Sequence, residues 1–314
     1  MNRFPGRYFV LFFSPLILLC AFQLGSYDLS DYLWTYLKLK HSDAFPKTAL
    51  VLGGGGARGL AHLGVLKVWE ENGFPLDCIT GTSSGALVGG LYSSGLSLKE
   101  IEELSRDLDW DDLVSVKYSL PRIISMKYVI SSDKMERYLD KKIGNKRFHE
   151  LKIPFACVAA DLNTGEKIVF REGELGPALR ASSSIPGIFE PVYYRHRLLV
   201  DGGILEKIPL EAAFLLGAEF TVAVDVGGTQ YNEEFDNIIN ILGQVITIQS
   251  SLLTKKNMDA ADVLIEPDLS DVKPSDLKQW EKARNRGIYA AYLKTPAIKE
   301  KLILKSLERL KKEK

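Results

Sequence analysis

Ser83 is the residue of this chain best placed to do covalent chemistry. It stands in Gly81-Thr82-Ser83-Ser84-Gly85, between a strand-like run, Asp77-Cys78-Ile79-Thr80, and a stretch that can begin a helix, Ala86-Leu87-Val88-Gly89-Gly90-Leu91. A serine on a tight strand-to-helix turn is a nucleophile elbow, with its hydroxyl turned towards an approaching carbonyl. Gly81 and Gly85 keep side chains out of the bend.

A glycine loop lies upstream. The apolar run Thr48-Ala49-Leu50-Val51-Leu52 leads into Gly53-Gly54-Gly55-Gly56-Ala57-Arg58-Gly59. Leu60 to Trp69 follows with helical spacing, placing Leu63, Leu66 and Trp69 on one side. Strand, glycine loop and helix build a site for negative charge, because bare backbone N–H groups and the helix N-terminus converge there. Two uses fit. Gly54-x-Gly56-x-x-Gly59 matches the dinucleotide fingerprint. The same N–H groups could form an oxyanion hole for acyl transfer. Dinucleotide binding calls for an acidic residue at the end of the second strand. Asp77 has the spacing but starts that strand, whose end carries the serine elbow. The arrangement favours acyl chemistry.

A carboxylate follows much later, in Leu198-Leu199-Val200-Asp201-Gly202-Gly203. It puts Asp201 at the carboxyl end of an apolar strand, where open α/β sheets build their sites. Taken alone, Asp-Gly also reads as a hairpin turn. The α/β hydrolase order is serine, acid, histidine. The histidines are His41, His62, His149 and His196, and none follows Asp201. A serine hydrolase here needs another base, and Asp201 is the best-placed carboxylate.

The three glycine motifs, in this order, resemble the patatin-like phospholipase family. Two further blocks are similar: Ala159-Ala160-Asp161-Leu162-Asn163-Thr164-Gly165-Glu166, a strand and hairpin turn, and Ala181-Ser182-Ser183-Ser184-Ile185-Pro186-Gly187-Ile188-Phe189-Glu190-Pro191. The likeness runs from about Lys47 to Leu293; Gly203 stands where many members have alanine. It implies a Ser-Asp dyad with Ser83 as nucleophile and Asp201 as general base. Gly54, Gly55 and Gly56 would supply oxyanion N–H groups, and Arg58 would fix their loop. Gly59, Gly81, Gly85, Gly202 and Gly203 would be the elbow and turn glycines. A free aspartate, with a pKa of about 3.9, is a weak base, and burial should raise it. The implied activity is a serine lipid acyl hydrolase, of phospholipase A or lysophospholipase type, acting on membrane lipid without a cofactor or metal. An acyltransferase with the same dyad, a nucleotide-binding protein and a non-catalytic lipid-binding protein are the rival readings.

The elements that must position these residues alternate. Strands are expected at Thr48–Leu52, Ile79–Thr80, Phe155–Ala160, Leu198–Val200, Phe220–Val226 and Val263–Glu266, with helical stretches between them. One such stretch is Ser97–Leu108, where Ser97 and Glu100 form a capping box. The alternation implies an α/β fold with a mainly parallel central sheet and helices on both faces. With 314 residues, 46% of them hydrophobic, the chain can bury a sizeable core. Zero net charge gives no basis for nucleic-acid binding. Cys20, Cys78 and Cys157 form neither a disulfide framework nor a metal-site spacing.

The expected organisation is a hydrolase domain over 47–295, flanked by an N-terminal segment (1–46) and a basic helix (296–314). Arg3 and Arg7 precede the uncharged stretch Tyr8–Leu24, which no A-x-A cleavage site follows. An uncleaved anchor, with the catalytic domain on the extracytoplasmic side, is favoured over a removed signal and secretion. Leu29, Tyr32, Leu33, Tyr36 and Leu37, with Trp34 nearby, form a stripe suited to a membrane interface. The terminal helix presents Ile303, Leu307 and Leu310 on one face, which packs on its own domain in preference to a membrane surface. Trp110–Ile130 is the expected cover of the site.

Overall fold

The computed structural model describes residues 29–107, 115–116, 130–227, 244–246, 248–250, 252–253 and 258–312. In chain order the strands are β1 (Thr48–Leu52), β2 (Cys78–Thr82), β3 (Ser115–Val116), β4 (Ile130–Ser131), β5 (Phe155–Asp161), β6 (Lys167–Phe170), β7 (Val192–Tyr194), β8 (Arg197–Asp201), β9 (Phe220–Val224) and β10 (Val263–Ile265). The helices are α1 (Leu29–Lys40), α2 (Ala61–Asn72), α3 (Ser84–Ser93), α4 (Leu98–Asp107), α5 (Asp133–Ile143), α6 (Leu175–Ser182), α7 (Leu210–Leu215) and α8 (Trp280–Lys312).

Hydrogen bonding orders the main sheet β10-β9-β1-β2-β5-β8-β7, with β6 also on β5. From β10 to β5 the strands run parallel. Beyond β5 the pairing turns antiparallel, through β8, β7 and the β5–β6 hairpin. β1 shows why the parallel part needs helices on both faces. It is buried along its whole length, as strands covered on both sides are. Leu50 and Leu52 join the larger core with α2, while Ala49 and Val51 pack with Leu210 and Ala213 of α7.

The expected strands are all present, β2, β5 and β8 extending one or two residues beyond the expected limits and β9 and β10 stopping short. β6 and β7 were not expected as separate strands. β7 and β8 form a hairpin closed at Tyr194-Arg195-His196-Arg197, with Arg195 and His196 both at positive φ. The capping box is present, since Glu100 Oε2 accepts from the Ser97 N–H at 2.8 Å.

The terminal helices both dock on the sheet domain, so the expected interface stripe of α1 is divided, part of it packed on the domain and part left exposed. Trp34 and Leu37 are buried, with the Trp34 ring 5.1 Å from Phe45 and 5.5 Å from Phe74. Leu29, Tyr32 and Tyr36 remain exposed. α8 begins well before Ala297 and runs unbroken to Lys312. Its Ile303 is buried, Leu307 and Leu310 pack against the core, and Arg309 donates to Glu219 at 2.7 Å.

Among the described residues no helix is long and apolar enough to cross a membrane. The uncharged stretch Tyr8–Leu24 lies outside the described residues, as does most of Trp110–Ile130. Of the latter, Ser115 and Val116 form β3 and Ile130 begins β4, and these two strands pair antiparallel.

Candidate active site

Two strand ends meet on β5. Thr82, the last residue of β2, pairs with Val158, and Asp201, the last residue of β8, pairs with the next residue, Ala159. The register therefore brings Ser83 and Asp201 together, although they lie far apart in the chain. Ser83 sits at φ 56° and ψ −124°, a strained conformation for a residue with a side chain. Small neighbours allow the bend, because a Cβ at Gly85 would strike the Leu52 carbonyl. A Cβ at Gly81 would lie 2.5 Å from the Gly85 carbonyl oxygen.

A serine block that carried no assigned role in the sequence holds the strained turn. The Ser83 N–H donates to Ser182 Oγ at 3.1 Å, and Ser182 Oγ donates to the Val158 carbonyl at 2.7 Å. Ser183 Oγ donates to the Ser83 carbonyl at 3.2 Å, and the Asp201 N–H donates to the Ser184 carbonyl at 2.8 Å. Three consecutive small polar residues beside two motif ends were the available signal. Their partners, the carbonyls and N–H groups of distant strands, are not written in the local sequence.

Asp201 is 5% exposed. Burial pushes its carboxyl up from 3.8 to about 6, while the Ser83 hydroxyl and the Gly203 N–H, hydrogen-bonded to the charged form, pull it back. The Gly203 N–H reaches Oδ1 at 2.7 Å, and Gly202 has no room for a side chain against the Val158 carbonyl. A carboxylate of this kind is ionised at neutral pH yet a far better base than a solvated aspartate. It is placed to take the Ser83 proton.

The glycine loop comes down on the elbow. A Cβ on Gly54 would lie 3.1 Å from Ser83 Cβ. The N–H groups expected as oxyanion donors differ in their engagement. Gly54 donates to the Lys207 carbonyl at 3.1 Å, and Gly55 donates to Ser84 Oγ at 3.0 Å. The Gly56 N–H has no partner among the described residues. The loop then winds into a 3-10 turn, Gly56–Leu60, ahead of α2. Arg58 is buried inside that turn and clasps the loop, donating from Nε to the Val272 carbonyl at 2.7 Å and from Nη1 to the Gly227 carbonyl at 2.8 Å. Its guanidinium is thus a structural anchor.

His62 and Lys207 support the same loop from below. His62 Nε2 donates to the Gly53 carbonyl at 2.8 Å, and burial pushes the imidazole down to about 4. Neutral His62 is therefore a brace. Lys207 is buried and pairs with Asp225 at 3.0 Å. Asp77 lies at the other end of the strands, where its carboxylate accepts the Thr48 N–H at 2.8 Å. That position is remote from the loop and unsuited to a ribose.

Ser83 opens into an apolar cavity. Its walls include Leu87 and Leu91 of α3, Leu104 of α4, Met135 and Tyr138 of α5, and Phe189. Arg180 of α6 holds the α5 wall, through Asp133 at 2.6 Å, Glu136 at 3.0 Å and Ser132 Oγ at 2.9 Å. A serine hydroxyl beside a buried carboxylate, opening on an apolar slot, suits attack on an ester with a hydrocarbon tail.

Comparison with known proteins agrees with this architecture. The chain is 34% identical over 199 residues to an uncharacterized NTE family protein of Mycobacterium bovis, covering 63% of this chain and 54% of that one. It is 30% identical over 259 residues to the human patatin-like phospholipase domain-containing protein 6, covering 79% of this chain and 18% of that one. It is 31% identical over 265 residues to neuropathy target esterase sws of Drosophila melanogaster, covering 81% of this chain and 18% of that protein. The chain thus spans about half, or less, of the relatives it matches. The VipD structure from Legionella pneumophila shares the fold, with a TM-score of 0.52 at 15% identity over 82% of this chain and 67% of that one. The family model described as patatin-like phospholipase matches residues 50–214, more than half of the chain, and spans both the serine elbow and the Asp201 turn: this chain belongs to the patatin-like phospholipase family.

Proposed function

We propose that the protein is a serine lipid acyl hydrolase that cleaves ester bonds of phospholipids or lysophospholipids through an acyl-enzyme. The observation that carries this reading is the buried Asp201 carboxyl, raised to about 6, against Ser83 at the head of an apolar cavity. The names of the relatives, phospholipase and esterase, point to the same class.

In the proposed cycle Asp201 takes the Ser83 proton as Oγ attacks the ester carbonyl. The carbonyl oxygen becomes an oxyanion and turns to the glycine loop, where the Gly56 N–H is available. Each well-placed donor there stabilises the charge by about 3 kcal/mol. Collapse breaks the C–O bond to the alcohol, which leaves with the proton from Asp201. Water then attacks the acyl-serine, again giving its proton to Asp201, and the fatty acid departs as Ser83 regains a proton. The acyl chain would occupy the cavity between α3 and α5. The proposed catalytic unit is 47–295, with Tyr8–Leu24 as its membrane anchor.

The test is labelling of the full chain with a fluorophosphonate probe. Wild type should be labelled, and Ser83→Ala should not. Labelling that survives Ser83→Ala would refute the assignment of the nucleophile. Release of free fatty acid from phospholipid or lysophospholipid vesicles, with loss in Asp201→Asn, should accompany it. An acyl group found on an added alcohol, with no free acid, would instead identify a transferase.

A further inference from the structure

Ser84 follows the proposed nucleophile and has no assigned role. It is the first residue of α3, and it lines the same cavity as Ser83. Its Oγ is pinned from two directions. The Gly55 N–H donates to it at 3.0 Å, and it occupies the notch at Gly59, where a Cβ would collide with it. Ser84 Oγ therefore uses a lone pair on the loop. A hydroxyl carries one proton to donate as well, and that proton has no acceptor among the described residues. A hydroxyl that already accepts from an N–H is polarised into a stronger donor. The positive end of α3 acts in the same direction.

The glycine loop leaves a gap that this hydroxyl fits. Gly54 gives its N–H to the Lys207 carbonyl, and Gly55 gives its own to Ser84, so two of the three glycine donors face away from an incoming substrate. We propose that Ser84 is a further catalytic residue. Its hydroxyl, held by Gly55, donates directly to the oxyanion formed at Ser83 and passes on the polarising effect of the Gly55 N–H. The inference rests on the hydrolase reading. It adds a side-chain donor where backbone donors alone were expected.

The experiment compares full-length wild type and Ser84→Ala on a chromogenic oxoester and on the matching thionoester, in which sulfur replaces the carbonyl oxygen. Sulfur is a weak acceptor, so a lost donor harms the thionoester less. Ser84→Ala should lower kcat on the oxoester by about 10²–10³, leave KM within a few-fold of wild type, and reduce the oxoester-to-thionoester rate ratio at least tenfold. A Ser84→Ala protein with wild-type kcat overturns the proposal. So does a loss of equal size on both substrates, which would mean that Ser84 merely holds the loop. If wild type neither hydrolyses esters nor reacts with a fluorophosphonate, the hydrolase reading itself falls. An active wild type with an unaltered Ser84→Ala variant refutes the Ser84 role alone.

Discussion

Replacing Asp201 by asparagine should make the protein more stable and less active, and the gain in stability should depend on pH. Burial raises the carboxyl from 3.8 to about 6 in the folded protein. The unfolded chain therefore ionises this group at lower pH than the folded chain does. Below 3.8 both states are protonated and Asp201 carries no penalty. As pH rises through the window from 3.8 to about 6, the folded state loses stability relative to the unfolded state. At 1.36 kcal/mol per pH unit the full loss is about 3 kcal/mol. About half of it is present by pH 5 and nearly all of it by pH 7. Asparagine keeps an oxygen for the Gly203 N–H and carries no charge, so its advantage over wild type should grow by about 1 kcal/mol between pH 5 and pH 7.

Urea unfolding of both proteins at a series of pH values measures that difference, provided the m-values agree. The same ionisation should govern catalysis with the opposite benefit. The kcat/KM of wild type should rise with pH through a midpoint near 6, because the free enzyme needs the carboxylate as base. Residual activity of Asp201→Asn should lack that limb. A stability difference independent of pH would refute the argument, because Asp201 would then not be a strained, buried carboxylate. An acid limb centred near 4 would refute it as well.

Three other perturbations follow from the supports of the site. Gly54→Ala puts a methyl 3.1 Å from Ser83 Cβ; steady-state kinetics should show kcat reduced at least about tenfold by displacement of the nucleophile. Lys207→Met strands the Asp225 carboxylate, and urea unfolding should register a loss of about 3 kcal/mol. His62 falls from 6.5 to about 4 on burial, so its contribution to stability is present above pH 6.5 and is lost as pH falls towards 4. Wild type should lose about 3 kcal/mol from this group across that window, while His62→Gln, which keeps a donor for the Gly53 carbonyl, should lose much less in the same pH series.

The sequence carries the site's chemistry more openly than its hydrogen bonds. Ser83, Asp201 and the glycine loop each stand at a strand end, and strand ends show as apolar runs broken by glycine. β1, with its five buried residues, is legible for that reason. β6 and β7 are not, because their apolar runs, Ile168-Val169-Phe170 and Val192-Tyr193-Tyr194, are only three residues long and only partly buried. A stripe does not say how its face is shared. Of the apolar residues from Leu29 to Leu37, Trp34 and Leu37 pack with Phe45, Phe74 and α8, while Leu29, Tyr32 and Tyr36 stay exposed. Which of two apolar surfaces a helix takes depends on where the sheet places its neighbours, and order within the sheet is a long-range property. The loop donors make the point most sharply. Gly54, Gly55 and Gly56 are equivalent in the sequence, but Lys207 and Ser84 take the first two N–H groups. An oxyanion hole is defined by the donors that remain unpaired after folding. Its residues are therefore fixed by partners elsewhere in the chain, and Ser84 becomes a candidate only once its bond to Gly55 is seen.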